Sequence, residues 1–152
     1  MSDKLHKQIA VEIRHLNHLL EVHQPLLSKC ANEAPNEIEV SALAAMLHSF
    51  YTGIENIFKR IVLESGGALP SGEAWHRELL DAMSNSDQAP AIISILVRNR
   101  LRNYLRFRHV FRQAYSFDLH WDKMTSLVLE CDETLHLLEA ELSDLLQAMD
   151  KE

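Results

Sequence analysis

The stretch from Val97 to Tyr115 concentrates side chains able to handle a phosphate. Val97, Leu101, Tyr104, Arg108, Phe111 and Tyr115 recur at steps of four and three, so on a helix they form one seam. Arg108 falls in the middle of it. A guanidinium among apolar and aromatic side chains must find a carboxylate, a carbonyl, a bound anion or a partner surface, because an unpaired buried charge is costly. Two readings stand side by side. One is an internal ion pair with an acid of another helix, with Glu55 as the candidate. The other is a site for a phosphate or a base, which suits a forked cation flanked by Tyr104 and Tyr115. A second face of the same stretch carries Arg98, Arg102, Arg106, His109 and Gln113 at steps of four, four, three and four. It reads either as a solvated helix face or as a ladder of phosphate contacts, with Tyr104, Phe107 and Phe111 beside it to stack on bases.

The charge distribution bears on the choice. The net charge of -7 argues against a nucleic-acid binder, but between Gln88 and Phe117 there are six arginines (Arg98, Arg100, Arg102, Arg106, Arg108 and Arg112) and no acid. The other nine basic residues face all 22 acids. A basic element in an acidic body either steers a polyanion to one place or pairs with acidic neighbouring helices.

The elements that must position these residues are helical. The 152 residues make a single domain over 1–152, 47% of them hydrophobic, and four Gly and four Pro leave little turn chemistry for a sheet. Periodicity predicts helices from about Lys4 to Lys29, kinked or shortened at Pro25, and from Val40 to the pair Gly66 and Gly67. A short helix through EAWHRELLDAMS, opened by Ser71 or Gly72, follows, and a fourth runs from about Ala91 to Ala114. The fifth, from about Asp122 to Met149, carries an uninterrupted stripe of Met124, Val128, Cys131, Leu135, Leu138, Leu142, Leu145 and Met149, with Asp118 as its cap. SNSDQAP and YSFDLHW are read as loops, and Trp75 and Trp121 as packing anchors. The fold expected is an all-α bundle of four or five helices.

Other chemistries find no support. Cys30 and Cys131 have neither zinc nor redox spacing and read as buried thiols. His15, His18 and His23 lack a further ligand, so no metal and no cofactor are expected. There is no glycine-rich phosphate loop and no serine elbow. No apolar run approaches the roughly 18 residues of a membrane helix, and MSDKLHKQIAVEIRHLNH lacks the apolar block of a signal peptide. The expected location is the cytoplasm, away from membranes.

The run RHVFRQAY, Arg108 to Tyr115, followed by SFDLHWDKM, resembles the signature region of the HepT-like ribonuclease toxins of the HEPN superfamily, whose pattern is Arg, four residues, His, one residue, Tyr. LHSFYTGIENIFKRI and SGEAWHRELL extend the resemblance over most of the chain. It implies a HEPN-like bundle that dimerises so that two motifs face one cleft, a metal-independent endoribonuclease activity, and the toxin role in a toxin–antitoxin pair. It also implies a minimal nucleotidyltransferase antitoxin that adds AMP to the motif Tyr. Carried over, Arg108 holds the scissile phosphate and Tyr115 is the modification target, while Gln113 stands at the position of the His. Glutamine cannot titrate, and losing a general acid or base costs on the order of 100- to 10,000-fold. The expectation is therefore a weakened or inactive nuclease unless His109 substitutes, with Arg102, Arg106, Arg112 and Tyr104 contacting RNA. Two alternatives stand: a non-catalytic partner of a nucleotidyltransferase, and a bundle with no site in which Arg108 is an internal ion pair.

Overall fold

A computed structural model describes residues 3–85, 91–115 and 118–150, the last with side chains through Gln147. Part of the expected loops at 84–90 and 115–121, and the side chain of Met149, lie outside the described residues. Among the described residues the chain forms seven α-helices and no strand: α1 (Asp3–Val22), α2 (Gln24–Cys30), α3 (Glu37–Glu64), α4 (Trp75–Met83), α5 (Ile95–Gln113), α6 (Trp121–Leu129) and α7 (Cys131–Asp150). None is long and apolar enough to cross a membrane.

The all-α expectation holds, but two of the predicted helices are each split. The first breaks at His23, and the chain resumes as α2 with Pro25 in its first turn, where a missing N–H is harmless. The last breaks at Glu130 (φ -97°, ψ 1°). The break leaves Met124, Val128, Cys131, Leu135, Leu138 and Leu142 all buried, so the apolar stripe runs across it and periodicity cannot see it. Both backbone N and Oγ1 of Thr134 donate to the Glu130 carbonyl, at 2.9 and 2.8 Å, and hold the bend.

Helix α3 is the spine against which α1, α4, α5 and α6 pack. It starts at Glu37 because Asn36 and Glu39 form a capping box, with reciprocal bonds of 2.9 and 3.0 Å. Leu43, Leu47, Phe50, Tyr51, Ile54, Ile57 and Phe58 fill the core. At Gly53 the neighbouring α1 comes so close that an added Cβ would lie 2.7 Å from Leu16 Cδ2. The helix ends at Gly66, whose φ of +82° is a left-handed value that glycine takes without strain.

Helix α5 begins at Ile95 rather than Ala91, capped by Ser94, whose side chain accepts from Val97 N. Ser94 N and Oγ also bond to Glu141 at 2.7 and 2.8 Å, fixing the start of α5 to α7. Val97, Leu101, Tyr104 and Phe107 are buried, and Arg102 clamps α5 to α4 through Asp81 at 2.8 Å. Arg112 in the last turn complements the helix dipole. Three smaller expectations change. Helix α4 opens at Trp75 with Ala74 before it, rather than at Ser71 or Gly72. Asp118 does not cap α6; that position is His120, without a side-chain bond. Trp75 and Trp121 are only partly buried against the core. Cys30 and Cys131 are buried free thiols, with burial pushing both above the ordinary thiol range.

Leu101 is fully buried on the helix that carries the arginines. Leu101→Ala is expected to cost about 2–5 kcal/mol through lost transfer energy and a residual cavity, read as a lower denaturant midpoint at an unchanged slope. A cost below about 1 kcal/mol would mean that α5 is not anchored there.

Candidate functional site

On the core face of α3, among Ile54, Ile57 and Phe58, sits a carboxylate: Glu55, only 2% exposed. Such a charge needs a partner. Its Oε2 lies 2.7 Å from Nδ1 of His76 on α4. Arg108 on α5 places Nη1 3.3 Å from each nitrogen of the same imidazole. Nδ1–H donates to Glu55, while the guanidinium nitrogen, equidistant from the two ring nitrogens, lies over the face of the imidazole and off the in-plane lone pair of Nε2. The Trp75 ring stacks on His76 with centroids 3.6 Å apart at 30°, and Lys59 Nζ stands 4.7 Å over that indole. The expected pairing of Glu55 with Arg108 is thus corrected: the two are joined, but through His76.

This layer is unusually rich in unsatisfied groups. Nε of Arg102, Nε of Arg108 and the hydroxyl of Tyr51 are buried without a hydrogen-bond partner among the described residues. Burial and nearby Glu55 push the Tyr51 hydroxyl well above the ordinary phenol range. Local rules broken together at one place mark a functional region more often than a structural one.

Above the layer opens a cleft of about 810 Å³ between the start of α4 and the last turns of α5. Its walls carry Arg77, Arg102, Arg106, Arg108 and Arg112 against one acid, Glu73, and also His76, His109 and Gln113. A second cavity of about 500 Å³ lies between α5 and α6, but Asp118 and Glu130 there offset Arg100, Arg106 and Lys123. The larger cleft is the one suited to a polyanion.

The six arginines divide between the two readings of their charge. Arg100 pairs with Glu133 at 3.4 Å, Arg102 with Asp81, and Arg98 bonds Asn99 Oδ1 at 3.2 Å. Those three serve the fold. Arg106 and Arg112 are exposed and make no ion pair or hydrogen bond among the described residues, and Arg108 has only an imidazole. His109 and Gln113 are exposed on the cleft wall, and Tyr115 is 72% exposed two residues beyond Gln113. Tyr104 departs from expectation. It is 2% exposed, packs 5.2 Å from Phe50, and donates its hydroxyl to the Leu127 carbonyl at 2.7 Å, so it cannot stack on a base in the Arg108 cleft. Phe107 is likewise buried. The seam enters the core at Val97 and leaves it at Arg108.

Sequence reasoning passed over His76. Its signal was present in WHRELL, beside Trp75, but Glu55 lies 21 residues away on another helix and only the packing of α3 on α4 joins them. No group of side chains able to hold a metal occurs among the described residues.

A family model described as HepT-like protein matches residues 42–149, which runs from within α3 into the last turn of α7 and takes in every residue of the cleft. No curated protein and no solved structure matches the chain.

His48, on α3, lies 5.1 Å from Phe111. Burial, then the charges of Arg108 and Arg112, hold its imidazole below the ordinary value of 6.5. As pH falls below that value the unfolded chain takes up this proton before the folded one, so stability is lost from there down through the folded value. His48→Gln should lose less thermal stability between pH 7.5 and 5.5 than the wild type; an equal or larger loss would place the acid sensitivity elsewhere.

Proposed function

The chain belongs to the HepT-like family, and on that premise we propose that it is a metal-independent endoribonuclease, the toxin of a toxin–antitoxin pair, acting in the α4–α5 cleft. The observation that carries this reading is Arg108. Its guanidinium meets no carboxylate directly, sits at the floor of a cleft with an excess of arginines, and is free to turn its fork onto a phosphate. Arg106 and Arg112, uncommitted on either side, suit the neighbouring phosphates of a strand. The charge built up on the phosphorane oxygens in the transition state would be met by Arg108, so a fixed cation does the work of stabilisation.

Pairing of two copies is part of the proposal. Ile95 and Leu96, 61% and 62% exposed at the start of α5, and Val110, 54% exposed near its end, are the apolar side chains on this helix open to a second copy. The antitoxin partner is proposed to be a minimal nucleotidyltransferase that adds AMP to Tyr115. The phenol oxygen attacks the α-phosphate of ATP, pyrophosphate leaves, and the phenol proton passes to solvent. The exposure of Tyr115 is compatible with that access. Cytoplasmic action follows from the substrate, RNA.

Gln113 favours a second reading, a non-catalytic subunit that presents its basic helix to the nucleotidyltransferase. The two separate on cleavage. Purified wild type should cut single-stranded RNA, Arg108→Ala should lose at least about 100-fold in rate, and Gln113→His should gain. RNA left intact by the wild type and by Gln113→His would favour the non-catalytic subunit. Incubation with ATP and the partner enzyme should add one AMP to the wild type and none to Tyr115→Phe, by intact mass; addition to both would move the target elsewhere.

A further inference from the structure

We infer that His76 supplies the general base that Gln113 cannot, with Glu55 as its positioning residue. The inference rests on the ribonuclease reading and deepens it by assigning a catalytic residue outside the α5 motif. Three observations carry it. The His76 side chain is 18% exposed and lines the cleft, so it is reachable from the same space as Arg108. Its Nδ1 is committed to the buried Glu55 at 2.7 Å, which leaves Nε2 as the proton acceptor on the cleft side. Arg108 Nη1 lies over the imidazole face, 3.3 Å from each ring nitrogen, so a phosphate gripped by that guanidinium is brought beside the His76 ring.

A mere structural tie between α3 and α4 would explain the Glu55 contact. It would not explain why the face of the imidazole carries a cation that has no carboxylate of its own, or why Trp75 stacked at 3.6 Å fixes the ring at the cleft wall. When phosphate arrives, Arg108 turns from the imidazole face to the phosphate oxygens.

The step this permits is a transesterification. The ribose 2′-oxygen attacks phosphorus as Nε2 of His76 takes its proton. The bond from phosphorus to the 5′-oxygen breaks, and that oxygen takes a proton from water in the open cleft. His76 then gives its proton to the hydroxide so formed. The products are a 2′,3′-cyclic phosphate and a free 5′-hydroxyl, with no net consumption of water and no other reactant.

The test uses the full chain and a single-stranded RNA oligonucleotide. His76→Gln and His76→Ala should each lower the cleavage rate about 100- to 10,000-fold while keeping a cooperative melt. Binding of a 2′-O-methyl copy of the RNA, which cannot be cleaved, should stay within about threefold in both, because His76 is not the phosphate anchor. Added imidazole should restore cleavage to His76→Ala by filling the vacated space, and should do nothing for Arg108→Ala. Glu55→Gln should lower the rate in the wild-type background and have no further effect in His76→Ala, since it acts through His76.

Undiminished cleavage by His76→Gln, with activity still lost in Arg108→Ala, would overturn the inference and leave the ribonuclease reading intact. Loss of RNA binding in parallel with cleavage, with no rescue by imidazole, would make His76 a structural or binding group and overturn it as well. Cleavage by Gln113→His but not by the wild type would overturn the inference and leave the ribonuclease reading standing; no cleavage by either would remove both.

Discussion

A carboxylate buried on the central helix is the constraint from which the site follows. Glu55 sits among aliphatic and aromatic side chains of α3, where an unanswered charge would be far more costly than any contact nearby could offset. The answer comes from α4, whose His76 is drawn down to 2.7 Å, and the position of that ring in turn sets what Arg108 on α5 can touch. Three helices are brought to one point by a polar chain rather than by apolar packing alone. The buried Nε atoms of Arg102 and Arg108 and the Tyr51 hydroxyl, all without partners among the described residues, show that hydrogen-bond satisfaction was not maximised here.

Charge is distributed to the same end. The acids on α4 and α7 that accept Arg100 and Arg102 hold α5 in place, and they stop short of the last two turns. There Arg106, Arg108 and Arg112 face a cleft with one acid, on a protein whose net charge is -7. Such an arrangement focuses an attractive field on one opening and leaves the rest of the surface repulsive to nucleic acid, so selectivity for the site arises before any contact is made.

Much of this was legible in the residues. Helical class, the α3 and α5 stripes and the placement of Arg108 on a seam all follow from period and composition, which are local. Glu55 as an acid bound up with Arg108 was legible too, because few acids fall on a core face. What was not legible depends on packing. His76 is one of nine histidines, and only the docking of α4 on α3 distinguishes it. Tyr104 shares a seam with Arg108, yet one turn of helix separates core from cleft, and a wheel cannot show where a helix surfaces. The bend at Glu130 is hidden because the apolar stripe continues through it. The capping box at Asn36 and Glu39, by contrast, was written in the sequence and would have set the start of α3.

His76 keeps its proton on Nδ1, hydrogen-bonded to the buried Glu55 carboxylate, and leaves Nε2 bare. Proton–nitrogen correlation spectra of the ¹⁵N-labelled imidazoles measure this directly, with His76 identified by its loss in His76→Gln. The account predicts a protonated Nδ1 and an unprotonated Nε2 at alkaline pH, with the Nε2 resonance shifting when a non-cleavable 2′-deoxy dinucleotide is added. A protonated Nε2 with a bare Nδ1, or an Nε2 resonance that ignores the dinucleotide while Arg108 responds, would contradict it.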